Sequence, residues 1–353
     1  MKHKILVIFG LLIAIGCFAI SLRGTTLSGL GEAFRQADYR TLPVLLLLLA
    51  GFYLLKTLRW SWLLAPTARL TVRQLLPPML IGFGANNLLP AHLGEFVRVY
   101  ELRRRYGISP AIGLSTVVLE RVFDVLAILA LFATGVAFSP DLPPGYHRSA
   151  LVMSGGAFVV VLGIVAYLIW TEWFLGLAAM ILRRTPYMPS AVTEKLVGML
   201  RTGADGLASL RSGRMVAALA ANSLAQWLLN GMIAYVSLRA FGIPVTPAAG
   251  LIVTGVTAAA VTIPSTPGYF GVIQACFQIS MRAQAENPPA SLVFGASIYY
   301  QLSMFIPVTC LGLFFLLRSG QHLSDLRDSA DRIAGDDRAE PRSGLAQSDA
   351  AVT

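Results

Sequence analysis

Charged side chains are scarce in this chain. Only 13% of its 353 residues are Asp, Glu, Lys or Arg, against about 25% in a typical soluble domain. With 56% hydrophobic residues and a mean hydropathy of +0.67, too little polar surface remains to face water, so much of the chain must face lipid. Acidic residues are the scarcer sign, 18 against 28 Lys and Arg, giving a formal charge of +10. No basic stripe interleaved with exposed aromatics accompanies that charge, which argues against nucleic acid as a partner. Cysteine is nearly absent. Cys17, Cys276 and Cys310 each stand alone in an apolar stretch, which excludes a disulfide framework and a Cys/His zinc site. Histidine is equally sparse. His3, His147 and His322 fall near chain ends or in loops, and His92 alone sits in a motif-bearing stretch. No nucleophile–His–acid set emerges, so the expectation is a chain that is not an enzyme, with no catalytic residues, no metal and no cofactor.

What is present is a series of long apolar segments, at about 5–22, 42–64, 110–138, 150–170, 215–240 and 291–317. Each is near or above the roughly 20 residues that a helix needs to cross a bilayer. The first continues past a signal-like Gly16-Cys17 to Ile20, so it is expected to be retained as a helix rather than cleaved. Two further stretches, 75–97 and 249–280, are interrupted by Pro, Gly and Asn. They are expected to be hairpins that enter the membrane and return on the same side, since irregular backbone at that depth survives only under protein or beside a watery cavity.

Orientation follows from the basic residues. With a cytoplasmic N-terminus and both interrupted stretches re-entrant, nineteen Lys and Arg fall on the cytoplasmic side, Arg98 among them, against six outside; Lys56, Arg59 and Arg121 lie within spans. Both termini are then cytoplasmic, and the expected location is the cytoplasmic (inner) membrane. Residues 1–138 read as helix, helix, hairpin, helix. Residues 139–317 repeat that order from the opposite side, which is the inverted-repeat plan of many transporters. The fold class expected is therefore all-α: a polytopic membrane helix bundle of two inverted repeats, each with three spanning helices and a re-entrant hairpin. Leu89-Pro90-x-x-x-Gly94 and Ile263-Pro264-x-x-x-Gly268 echo one another locally. A basic, aromatic stretch at 171–214 suits a cytoplasmic surface segment, and residues 318–353 suit a polar cytoplasmic tail, partly disordered.

Three constellations carry polar chemistry. In the first, Asn86, Asn87, Pro90, Gly94, Glu95 and Arg98 combine helix breakers with amides at membrane depth. The amides either cap the broken backbone or meet a polar ligand; Glu95 and Arg98, at i,i+3, are spaced to pair on one helical face, with snorkelling to the surface as the competing reading for both. In the second, Glu120, Arg121 and Asp124 interrupt a long apolar helix. A charge in a span costs at least about 2.5–3.5 kcal/mol, so the three should face the bundle interior and partner one another. They form either a structural ion cluster or a site for a headgroup or a proton. The third, Pro264, Pro267, Gly268, Tyr269, Gly271 and Gln274, holds no charge. A helix beginning after Pro267 would aim its amides at an anion; a tight hairpin without ligand is the competing reading. Gln226, Trp227 and Asn230 add polar groups to a span, and helix–helix hydrogen bonding accounts for those equally. Arg103-Arg104-Arg105 reads as a positive-inside anchor that also gathers anionic headgroups.

Taken in order, residues 87–98, 119–124 and 264–271 resemble the lysylphosphatidylglycerol synthase transmembrane, or flippase-like, family, over roughly residues 5–317. The resemblance implies moving a lipid between leaflets, either an aminoacylated phospholipid or a polyprenyl-phosphate-linked sugar. Full-length synthases carry a soluble transferase domain. Only about 35 polar residues follow the last span here, so no synthase activity is expected. Glu95 stands where the family also uses Asp. The leading expectation is thus a transporter of anionic lipids. A membrane accessory protein that presents a lipid to a glycosyltransferase or acyltransferase partner, and a small-solute or ion transporter, are the alternatives.

Overall fold

The computed structural model describes residues 16–148 except 20, 23, 90–92, 140, 141 and 144. It further describes positions 152, 155, 156, 173, 176, 177 and 180, and residues 213–319 except 262–266 and 285–287. The expected spans at 5–22 (up to residue 15) and 150–170 (almost wholly), most of the 171–214 surface segment and the tail from 320 lie outside them, as do Pro90, His92 and Pro264.

Every regular element among the described residues is a helix. In chain order they are α1 (Leu27–Gln36), a 3-10 turn (Tyr39–Thr41), α2 (Leu42–Leu64), α3 (Val72–Leu88), α4 (Gly94–Tyr106), α5 (Pro110–Ala137), α6 (Gly213–Ala240), α7 (Pro247–Val261), a 3-10 turn (Pro267–Tyr269), α8 (Val272–Arg282) and α9 (Ala290–Arg318). Among the described residues, three stretches are long and apolar enough to cross a membrane: Tyr39–Leu64, Gly213–Ala240 and Ala290–Arg318. At 28 residues, α5 spans about 42 Å at 1.5 Å per residue, but it carries Glu120, Arg121 and Asp124. The helix α1 lies between two of the expected spans. Thr26 caps it by accepting from the Gly29 amide at 3.1 Å, Ala33 is buried, and the helix packs on α9.

The two interrupted stretches do not form continuous rods. The first ends one helix at Leu88 and begins another at Gly94. These two helices run antiparallel: Asn86 Oδ1 accepts from the Gly94 amide at 2.7 Å, Arg98 Nη1 lies 3.1 Å from Met79 Sδ, and Tyr106 donates to the Gln74 carbonyl at 2.8 Å. Their crossing is closest at Gly94, where an added Cβ would stand 2.0 Å from the Gly82 carbonyl oxygen. Only glycine fits that approach. The second stretch ends α7 at Val261 and begins α8 at Val272, with Gly268, Tyr269 and Gly271 all at positive φ between them. Here too the two helices pack on each other, Cys276 Sγ lying 3.9 Å from the Val256 carbonyl.

Packing between elements follows a repeating scheme. α3 lies along α9, and α7 lies along α5; α4 packs on α5, and α8 packs on α9; α2 packs on α6. Small residues let the backbones close. A Cβ on Gly84 would meet the Gly312 Cα at 3.2 Å, and one on Gly135 would meet the Ala248 carbonyl at 3.0 Å, as is usual where helices associate by close packing in lipid. The free end of α3 stops beside the middle of α9: Asn87 Nδ2 donates to Thr309 Oγ1 at 2.9 Å and approaches the Phe305 carbonyl at 3.4 Å.

A candidate lipid-handling site of buried charges

Two members of the second constellation turn inward, while Arg121 stays partly exposed. Glu120 and Asp124 are 0% and 2% exposed, and the charges that meet them come from two other helices, α2 and α4. Asp124 accepts from Arg59 Nη1 at 2.7 Å, from Lys56 Nζ at 3.3 Å and from Trp227 Nε1 at 3.0 Å. Glu120 pairs with Arg98 at 2.8 Å, and the Arg98 guanidinium lies 4.4 Å from the centre of the Trp60 ring, a cation–π geometry. The Lys56 ammonium sits between the rings of Phe52 and Phe83, at 5.6 and 5.3 Å. Glu95 holds Arg121 at 2.8 Å, the most open of these pairs, with side chains 22% and 43% exposed.

One expected pairing is corrected. Glu95 and Arg98, spaced to pair on one helical face, instead bind across to α5, to Arg121 and Glu120 respectively. Arg98 gives up the short i,i+3 contact for a buried carboxylate, because an unpaired ion in the interior costs far more than a surface pair returns, while Glu95 and Arg121 stay partly exposed. Arg121 does reach Asp124, at 3.9 Å. Arg98, counted among the cytoplasmic cations, is 1% exposed and belongs to the interior.

The cluster holds four cations, Lys56, Arg59, Arg98 and Arg121, and three anions, Glu95, Glu120 and Asp124. A positive excess so deep, with Arg59 Nε and Nη2 and Arg98 Nε buried without a hydrogen-bond partner, suits a polar or anionic guest. Lys56 and Arg59 were not singled out from the sequence beyond their place in a span. Their signal was available: two cations three residues apart in an otherwise apolar helix need buried partners. Ser223, which accepts from Arg59 Nη1 at 2.6 Å, carried no such signal.

The amides are engaged differently. Asn86 is taken up in closing the first helical pair, while Asn87 ties that pair to α9. In the third constellation, the helix does not start directly after Pro267 with free amides. It starts at Val272, and Gln274 Oε1 takes the Gly271 amide at 2.6 Å while Gln274 Nε2 donates to Gln301. Gln301 in turn donates to the Gly268 carbonyl at 2.6 Å. The expected anion-facing amide at this turn is therefore used internally. The turn does meet the other constellations: its 3-10 segment packs on α3, and Tyr269 lies within electrostatic reach of Arg121 and Glu95. Gln226 bonds Asn222 within its own helix, and Asn230 accepts from Tyr300 at 3.1 Å. The expected anchor Arg103-Arg104-Arg105 is partly tied down, with Arg104 and Arg105 on the buried Glu101 at 3.3 and 2.8 Å.

This arrangement, an all-helical membrane chain with charges sequestered between broken helices, defines a membrane protein built around a polar interior. The chain belongs to the family described as the lysylphosphatidylglycerol synthase TM region, whose model matches residues 7–312. It is 26% identical over 354 residues to a UPF0104 membrane protein of Methanothermobacter thermautotrophicus, covering 92% of this chain and 98% of that one. It is 23% identical to a UPF0104 membrane protein of Methanocaldococcus jannaschii, covering 64% and 90%. A third relative is glycosyltransferase AglD of Haloferax volcanii, 25% identical over 241 residues; the match takes in 60% of this chain but only 38% of AglD. No solved structure matches.

Proposed function

We propose that this protein is a non-enzymatic transporter that moves an anionic lipid, a phospholipid or a polyprenyl-phosphate-linked lipid, between the leaflets of the cytoplasmic membrane. The observation that carries the reading is a buried set of three cations and two anions, with the partly exposed Arg121–Glu95 pair at its edge, gathered where two broken helical pairs approach each other. Such charges are expensive within a bilayer and mark pathways for polar cargo. Residues 1–138 and 139–317 act as two inverted repeats. In support, α2 to α5 and α6 to α9 make the same contacts with exchanged partners, and α3 ends beside the mid-length of α9 instead of running its full length. Each hairpin then re-enters from its own face, the first from the cytoplasm and the second from outside, with both termini cytoplasmic.

In this mechanism Arg121 and Glu95, the least buried pair, receive the headgroup, and the remaining cations offset the phosphate charge as acyl chains stay in lipid. Vesicles containing the purified protein should translocate fluorescent phosphatidylglycerol faster than protein-free vesicles. Arg121→Ala and Asp124→Ala, if folded, should slow that rate about tenfold, roughly 1.4 kcal/mol. Unchanged rates in both variants would defeat the site. A second reading, a subunit that presents a lipid to a glycosyltransferase or acyltransferase, is favoured by the likeness to a protein named a glycosyltransferase. Stable co-purification with such an enzyme, and no translocation alone, would select it.

A further inference from the structure

Beside the ionic cluster lies a cavity of about 190 Å³, bounded by α2, α3, α6, α7, α9 and the turn at Gly268 and Tyr269. It has room for a compact polar group, and both polar and apolar side chains line it. Trp227 joins the two compartments: its ring lines the cavity while its Nε1 donates to Asp124 at 3.0 Å.

Among the described residues, the cavity lining has no charged side chain. It does have unused hydrogen-bonding capacity of both kinds. The Tyr53 hydroxyl, which can donate and accept, makes no hydrogen bond among the described residues. Asn87 spends its amide nitrogen on α9 and keeps its carbonyl oxygen. Asn230 spends its oxygen on Tyr300 and Thr254 and keeps its NH₂. The Thr257 hydroxyl is buried with only a weak polar neighbour, the Cys276 thiol. A phosphate accepts only, and an ammonium donates only. A hydroxyl group does both, and so does this lining. The nearby carboxylates, the groups that would stabilise an ammonium, are already paired: Asp124 with Lys56 and Arg59, Glu120 with Arg98, Glu95 with Arg121. The cluster's net positive charge further opposes a cationic guest.

Resting on the transport reading above and narrowing it, we propose that this cavity binds the uncharged, hydroxyl-bearing part of a phospholipid headgroup, and that the protein selects such headgroups over aminoacylated, ammonium-bearing ones. A glycerol or a sugar linked through phosphate presents the same chemistry.

The test measures binding in detergent, by native mass spectrometry of the full chain, with four probes: phosphatidylglycerol, lysylphosphatidylglycerol and phosphatidic acid of matched acyl length, and a polyprenyl-phosphate hexose. The hydroxyl-bearing probes should bind at least tenfold more tightly than lysylphosphatidylglycerol and about fivefold more tightly than phosphatidic acid; whichever of the two binds better identifies the source. Asn230→Leu should abolish the preference over phosphatidic acid. Thr257→Val, close to isosteric and so safe for folding, should reduce it severalfold. Lysylphosphatidylglycerol binding as well as phosphatidylglycerol, or an unchanged preference in both variants, would overturn the proposal. Translocation is read separately in vesicles. Selective binding without translocation would reject the transport reading and leave this one standing; translocation without selectivity would do the reverse.

Discussion

Arg98 and Glu120 meet at 2.8 Å between α4 and α5, both almost fully removed from solvent, with the Trp60 ring covering the guanidinium. One arm of a broken helical pair is thereby fastened to a long helix by an ion pair. Removing either partner strands the other charge in the interior, whereas removing both does not.

Arg98→Ala alone should therefore destabilise the protein by about 3–5 kcal/mol. The double replacement Arg98→Met with Glu120→Leu should recover most of that stability. Thermal unfolding in detergent reads both. Translocation should stay low in the double variant, because packing is restored but charge is not; full transport there would reduce the pair to a structural role.

Glu95 and Arg121, at 2.8 Å and partly exposed, should behave differently. Loss of either should cost little stability, about 1 kcal/mol or less, while lowering translocation. Exchanging them, Glu95→Arg with Arg121→Glu, should restore a substantial part of the rate if the pair opens and recloses around cargo. Vesicle assays on the two single variants and the exchange decide the matter.

Glycine substitutions should separate sharply by position. Gly94→Ala would set a Cβ 2.0 Å from the Gly82 carbonyl and 2.6 Å from the Asn86 amide, and should abolish accumulation of folded protein. Gly31→Ala, in α1 with nothing within 4 Å of the new methyl, should raise stability by about 0.5–1 kcal/mol. Fluorescence-detected size exclusion and melting temperatures check both.

Much of this could be read from the sequence, and the reason is energetic. Glu120 and Asp124 announced themselves because charges inside an apolar helix require an interior. The broken helices were legible only in part, because the helix Val72–Leu88 runs on through Pro77, Pro78, Gly82 and Gly84, and the breaks come just before Gly94 and at Pro267. Partners were not legible. The spacing of Glu95 and Arg98 allowed them to pair, but tertiary packing offered Arg98 a buried carboxylate and Glu95 a guanidinium, both on α5. Asn86 and Gln274 looked like ligands for the same reason that they serve as caps: an amide at depth must bond something, and sequence does not say which backbone group comes within 3 Å. The helix α1 was overlooked because Leu27–Gln36 is too short and polar for a span, although Thr26 and the buried Ala33 mark it as amphipathic.

The account depends above all on each helical pair dipping into the bilayer and returning to the face it left. Single cysteines at the exposed positions Arg73, Arg103, Thr246 and Arg282, placed in a variant lacking Cys17, Cys276 and Cys310, can be labelled with a membrane-impermeant maleimide in right-side-out and inside-out vesicles. Positions 73 and 103 should react together in inside-out vesicles only, and positions 246 and 282 together in right-side-out vesicles only. If 73 and 103, or 246 and 282, label from opposite sides, the chain crosses there and the passage described above does not exist.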